Sequence, residues 1–307
     1  MAEIIRARSL VKRFDGFTAV DSIDFSVRRG ECFGFLGPNG AGKTTTVRMI
    51  SCVSPVTEGE LVVGGIDVRR EPRRIKSLLG VVPQEDNLDP DLSVRQNLAV
   101  YARYFDMPRE LANQRIDESL ALFQLVEKQH DAIWALSTGL KRRLTIVRGL
   151  INQPRILVLD EPTTGLDPQA RHLVWQKLRY LREQGVTMLL CTHYMEEAAH
   201  LCDRLVIMHQ GRILVEGSPA ELVEEHAGQE VAEVHARPEQ REKILTQVAS
   251  RPGLTVEEVE DILYIYARTP DDRAQMADLI LGSESVTYRQ ANLEDVFLRL
   301  TGRGLIE

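Results

Sequence analysis

The sequence predicts an α/β chain with a mainly parallel sheet core, an antiparallel β subdomain, an all-helical insertion and a small α/β domain at its C-terminal end. Three observations carry that prediction. Residues 156–159 form a continuous apolar run and 186–191 an apolar run broken only by Thr187, as expected of strands buried on both faces. They alternate with helical patterns, which places any ligand at the carboxyl ends of parallel strands. Finally, the texture changes to short strands and polar helices after Glu224-Glu225-His226-Ala227-Gly228, dividing the chain into residues 1–227 and 228–307.

In chain order, residues 3–36 alternate apolar and polar positions in short runs broken by Asp15-Gly16 and Arg29-Gly30, which predicts antiparallel strands. Residues 31–36 form a short apolar strand, and 45–50 can run as a helix. Strands follow at 59–63 and 78–84, the latter running into a loop at Gln84. From Ser93 to Lys128 the period is helical, with Leu98, Tyr101, Ala102 and Phe105 on one face and Pro108 separating two helices. The insertion spans about 90–150. Strands at 156–161 and 186–193 end in Asp160-Glu161 and in His193. Further strands are predicted at 231–235, 262–267 and 286–289. Near the end, Leu293, Val296, Phe297 and Leu300 make an apolar helix face that must pack on its own small domain or on another subunit.

A net charge of -7 gives no global attraction to nucleic acid. Lys141-Arg142-Arg143 and Arg69-Arg70 read as solvated helix faces. Cys32, Cys52, Cys191 and Cys202 lack metal-binding spacing and read as buried thiols of a reducing compartment. No window holds 18 consecutive apolar residues, so the expected location is cytoplasmic.

The chemistry centres on Gly37-Pro38-Asn39-Gly40-Ala41-Gly42-Lys43-Thr44, which fits G-x-x-x-x-G-K-[ST] at every fixed position, with Thr45 following. Strand, loop and helix stand in the order the pattern needs. Glycines let backbone N–H groups turn toward phosphates, and the helix start adds partial positive charge. Lys43 is expected to reach the β- and γ-phosphates of ATP, and Thr44 to place its hydroxyl on Mg²⁺. A strand would deliver Asp160 and Glu161 beside this loop, Asp160 to the Mg²⁺ shell and Glu161 to the attacking water.

With these residues the chain resembles the ATP-binding cassette family over roughly residues 3–225. Leu136-Ser137-Thr138-Gly139-Leu140 resembles the family signature loop, and residues 161–167, ending in Gly165-Leu166-Asp167, resemble the stretch from catalytic carboxylate to dimer-contact loop. Gln84 and His193 fall where the family has its glutamine loop and switch histidine. The resemblance implies that two cassettes pair head to tail, as a homodimer or with a related cassette, each phosphate loop facing the partner's signature loop. It also implies that Gln84 touches Mg²⁺, that His193 contacts the γ-phosphate, and that Phe14 stacks on adenine; Phe14 alone reads equally as a core strand residue. One departure stands out. The family's loop usually has two glycines after the serine, whereas Thr138 replaces the first, and a left-handed backbone there would be strained and slow hydrolysis.

The segments 80–89, 141–145 and 193–198 resemble the ATPases of type-2 exporters, above all those exporting nodulation-factor lipo-oligosaccharides and drugs, and residues 292–302 resemble the ending of the drug-export ATPases. This branch implies a separate membrane permease, a peripheral position on the inner face of the cell membrane, and no nucleic-acid partner. The rival readings are a soluble cassette ATPase acting on ribosomes or DNA, and a non-transporting regulator of a membrane protein. Ribosome-acting relatives usually carry two cassettes per chain and DNA-repair relatives long coiled coils. This chain has neither.

Overall fold

The computed structural model describes residues 2–281 and 283–301. Gly302 and the last five residues of the expected second domain lie outside the described residues. The chain packs as two compact units, one running to Ile213 and the other starting at Leu214.

In the first unit, β1 (Glu3–Phe14) and β2 (Phe17–Arg28) form an antiparallel hairpin, and β3 (Cys32–Leu36) leads into α1 (Lys43–Ile50). Then come β4 (Glu58–Val63), β5 (Ile66–Asp67), α2 (Pro72–Leu78) and β6 (Leu79–Val82). The insertion holds α3 (Val94–Arg103), α4 (Arg109–Leu122) and α5 (Thr138–Leu150). Sheet and helix alternate again through β7 (Ile156–Asp160), α6 (Pro168–Glu183), β8 (Thr187–Thr192), α7 (Met195–Leu201), β9 (Arg204–His209) and β10 (Arg212–Gly217), the strand within which the division between the units falls.

The larger sheet has the order β10-β9-β3-β8-β7-β6, and its neighbours from β9 to β6 pair in parallel. Every residue of β3, β7 and β8 is buried, which explains their mostly apolar sequence, polar only at Asp160, Thr187 and Thr192 near the strand ends. The smaller antiparallel sheet, β2-β1-β4-β5, shares one core with it: Phe25 meets Phe35 edge-on at 5.1 Å between ring centroids, beside Leu10, Leu61, Val158 and Leu189.

Two local devices position the insertion. Ser93 and Gln96 form a capping box that starts α3. The amide of buried Asn97 donates to the carbonyls of Asp89 and Ser93 while its oxygen accepts from Asp89 N–H, shaping the loop after Gln84. At the far end of the insertion α5 lies hard against β6. A Cβ on Gly80 would come within 1.9 Å of the Gly149 carbonyl oxygen, so only glycine permits that approach.

The second unit contains α8 (Pro219–His226), β11 (Glu230–His235), α9 (Pro238–Ala249), β12 (Leu254–Val259), β13 (Ile262–Ala267), α10 (Pro270–Leu279), β14 (Ser285–Gln290) and α11 (Leu293–Thr301). Its strands form an antiparallel sheet in the order β12-β13-β11-β14. The sequence alone did not predict β12, whose Glu257 and Glu258 interrupt its apolar alternation. Leu293, Val296 and Phe297 of α11 are buried, and α11 packs against α8. Asp295 anchors α11 through two hydrogen bonds from Arg289, at 2.6 and 2.7 Å.

Candidate active site

The sheet order assembles the site. β3, β8, β7 and β6 lie side by side in parallel, so their carboxyl ends deliver Gly37, His193, Asp160-Glu161 and Gln84 to one edge. The loop Gly37–Gly42 then turns into α1. Gly42 holds φ at 103°, and a Cβ there would meet the Ala19 carbonyl oxygen at 2.6 Å, so the left-handed turn and the close approach both require glycine. Pro38, Asn39, Gly40 and Ala41 fill the loop, and Thr44 and Thr45 open the helix.

Lys43 is 5% exposed and donates to the carbonyls of Gly37 and Pro38 at 2.7 and 2.9 Å. Burial pushes its ammonium pKa down, against the pull of Cys191, Glu161 and Asp160. Burial likewise raises the Asp160 carboxyl, although the Thr44 hydroxyl donates to Asp160 Oδ1 at 3.3 Å. Hydroxyl, carboxylate and the amide of Gln84 are hard oxygen donors of the kind Mg²⁺ takes. The described residues contain no cluster of three or more His, Cys, Asp or Glu side chains that could cage a metal.

Glu161 is the hub. Its Oε1 lies 3.0 Å from His193 Nδ1, and its Oε2 accepts from Thr164 Oγ1 at 3.0 Å and Gln84 Nε2 at 3.1 Å. The carboxylate is thus oriented by three side chains from three segments. Its backbone sits at φ 49°, a left-handed conformation uncommon outside glycine, at the point where β7 gives way to the turn.

Ser137, Thr138 and Gly139 lie at the start of α5. The helix begins at Thr138, and Ser137 is its N-cap, accepting from Leu140 N–H at 3.3 Å. Thr138 is a helical residue with no positive φ, so the expected strain is not found. Accordingly, Thr138→Gly should leave ATP turnover within about twofold of wild type while lowering the melting temperature slightly, since glycine is only about 0.3 kcal/mol worse than threonine in a helix. Steady-state phosphate release and calorimetry would check both. Asp167 N-caps α6, accepting from Ala170 N–H at 2.9 Å, after Gly165 and Leu166 turn the chain. Residues 137–139 and 165–167 line one open cleft of about 950 Å³.

Phe14 is 51% exposed and Phe17 62%, paired across the tip of the first hairpin. Neither belongs to the core. Lys12 Nζ lies 4.7 Å from the Phe14 centroid.

Two residues that sequence reasoning passed over stand behind this constellation. Arg142, expected on a solvated face, is 3% exposed, and burial lowers its pKa. The signal was present: Arg142 shares the i, i+3, i+4, i+7 stripe of α5 with buried Thr145, Ile146 and Gly149. Arg143 beside it is half-buried rather than solvated, donating to the Phe123 carbonyl.

The second is Glu197 of α7, fully buried, whose Oε1 accepts from Thr163 Oγ1 at 2.7 Å and Trp175 Nε1 at 3.3 Å. Burial raises its pKa above the ordinary 4.5, opposed by donors Thr163, Thr192 and Trp175. A raised carboxyl pKa contributes stability below the unfolded value that is lost as pH climbs through the folded one. Glu197 Oε2 is buried without a hydrogen-bond partner, so a glutamine can keep Thr163 and Trp175 on its oxygen. We expect Glu197→Gln to melt at or above wild type near pH 7, with the advantage shrinking toward pH 4. A pH series of melting curves with no trend in the difference would contradict this.

The geometry has counterparts in known proteins. The family model described as ABC transporter matches residues 20–164, and the one described as Nodulation factor export protein NodI, C-terminal domain, matches residues 233–302. A Nod factor export ATP-binding protein I from Ralstonia nicotianae is 46% identical over 307 residues, covering 98% of this chain and 94% of its own. The protein of that name from Cupriavidus metallidurans is 42% identical and covers 99% of both chains. Among solved structures, cbiO1 from Clostridium perfringens, part of the ABC transporter complex cbiONQ, superposes with a TM-score of 0.68 at 25% identity, covering 82% of this chain and 96% of its own. A dimeric ATP-binding cassette in a post-hydrolysis state, bound to ADP and Pi, gives 0.64 at 27% identity over 70% of this chain and 98% of its own.

Proposed function

Because this chain belongs to the ABC transporter family of ATP-binding proteins, and is therefore an ATPase, we propose that it powers an exporter by ATP-dependent closure of a cassette dimer against a separate membrane permease. The observation that carries the exporter reading is the extent of the likeness: it runs through the C-terminal residues 233–302 as well as the cassette, and the relatives sharing both parts are named for Nod factor export. Among the described residues no helix is long and apolar enough to cross a membrane.

The geometry supports the following roles. Lys43 exchanges the carbonyls of Gly37 and Pro38 for phosphate oxygens, which relieves a desolvated cation. When bound, Mg²⁺ neutralises phosphate charge, with Thr44, Asp160 and Gln84 as its protein-side donors. Glu161 takes the proton of the attacking water while His193, Thr164 and Gln84 hold its carboxylate in place. Ser137 and Gly139, at the positive end of α5, receive the γ-phosphate of the ATP on the opposite cassette. Gly165, Leu166 and Asp167 line the same cleft and make the dimer contact. Phe14 offers an exposed ring for adenine. ATP favours the closed dimer, hydrolysis reopens it, and the helical insertion with the Gln84 loop passes the motion on.

Tagged Glu161→Gln protein, expressed in its host and extracted from membranes with ATP and Mg²⁺, tests the assembly. A multi-spanning partner in equal amount is expected. Ribosomal or DNA-associated partners, without any membrane protein, would overturn the exporter reading.

A further inference from the structure

Arg142 is spent entirely on backbone. Its Nε donates to the Pro162 carbonyl at 2.7 Å, Nη1 to those of Pro83 at 2.5 Å and Gln84 at 3.2 Å, and Nη2 to those of Asp160 at 2.9 Å and Glu161 at 2.8 Å. Those acceptors come from two segments that follow different strands. One carries Gln84 after β6, and the other carries Asp160 and Glu161 at the end of β7. No carboxylate pairs with Arg142 among the ion pairs of the described residues.

The anchor matters because of what it holds. Glu161 occupies a left-handed backbone conformation, and Arg142 binds the carbonyls on both sides of it as well as its own. A residue in that region persists only where its surroundings over-determine it. The guanidinium fork does so with donors spread in one plane; a lysine ammonium, with three donors on a single nitrogen, cannot span the two segments.

Arg142 also sits on α5, about one and a half turns beyond Ser137, and the helix is a rigid body seated on β6 through Gly80 and Gly149. In that dimer the N-terminus of α5 faces one ATP, and its Arg142 holds the backbone that carries Glu161, the residue that serves another. We propose that Arg142 is the positioning residue that ties occupancy of the signature loop to the geometry of the chain's own Glu161 and Gln84, so that turnover at the two sites of a dimer is interdependent. This rests on the head-to-tail dimer described under Proposed function.

The test compares wild type, Arg142→Gln and Arg142→Lys as full chains, measuring phosphate release against ATP concentration and, separately, equilibrium binding of ATP with Mg²⁺. Wild type should show a Hill coefficient above one. In both variants kcat should fall at least tenfold and the Hill coefficient should approach one, while ATP affinity stays within about threefold, because Arg142 touches backbone carbonyls of 83–84 and 160–162 and no residue of the phosphate loop. Lysine keeps charge and most of the volume, so it decides the matter if the glutamine variant fails to fold. Should the lysine variant retain wild-type kcat and Hill coefficient, or lose affinity in proportion to rate, the proposal is overturned. If wild type itself turns over without cooperativity and never dimerises in ATP, the dimer reading has failed, and this inference with it.

Discussion

Glu161→Gln should bind ATP as wild type does and lose about two to four orders of magnitude in turnover, the range assigned to a positioned general base. The substitution is nearly isosteric and the pocket can accept it. Thr164 and Gln84 both donate to Oε2, so the amide oxygen takes that place, and the new NH₂ turns toward His193 Nδ1 at the Oε1 position, 3.0 Å away. The fold and the phosphate loop are untouched, while the group that accepts the water's proton is gone. ATP-bound dimer should therefore accumulate, because closure requires binding and reopening requires hydrolysis. Single-turnover phosphate release and light scattering in ATP with Mg²⁺ read the two halves separately. Residual turnover above about a tenth of wild type would show that Glu161 is not the base.

That prediction rests on residues legible in the sequence, and the reason is local. The phosphate loop is one continuous segment whose glycines and lysine act within eight positions, so spacing alone specifies it. Asp160 and Glu161 end an apolar strand, and a parallel sheet has one edge to which such ends can go. The supporting residues were not legible, because their partners are distant in the chain. Arg142 reads as one of three basic residues until the carbonyls of 83–84 and 160–162 are placed around it. Glu197 reads as one of two acids opening a helix until Thr163 and Trp175 close over it. Thr138 shows the opposite error: a family pattern suggested strain, whereas the backbone there is simply the first turn of a helix.

For Lys43→Ala the expected signature is a protein of nearly unchanged intrinsic stability that no longer responds to nucleotide. Lys43 is buried and its charge is disfavoured where it sits, so removing it relieves a desolvation cost that offsets the two lost hydrogen bonds to Gly37 and Pro38. The sign follows from the depressed pKa. Below it the ammonium is charged in both folded and unfolded states and the folded state carries the penalty; stability recovers only as pH rises toward the unfolded value of 10.5. Phosphate oxygens reverse that preference, which is why the lysine matters to the complex and little to the free chain. At a ligand concentration of a hundred times Kd, binding adds about 2.7 kcal/mol to stability. In a domain of this size that corresponds to a rise of roughly 5–10 °C in Tm. A hundredfold loss of affinity reduces the gain to about 0.4 kcal/mol, or a shift of roughly 1 °C. Melting curves of both proteins, with and without ATP and Mg²⁺, give four temperatures. The reading requires the two ligand-free values to agree within about 2 °C and only the wild type to move. An undiminished ATP shift in the variant would mean that the backbone N–H groups of the loop bind the phosphates unaided.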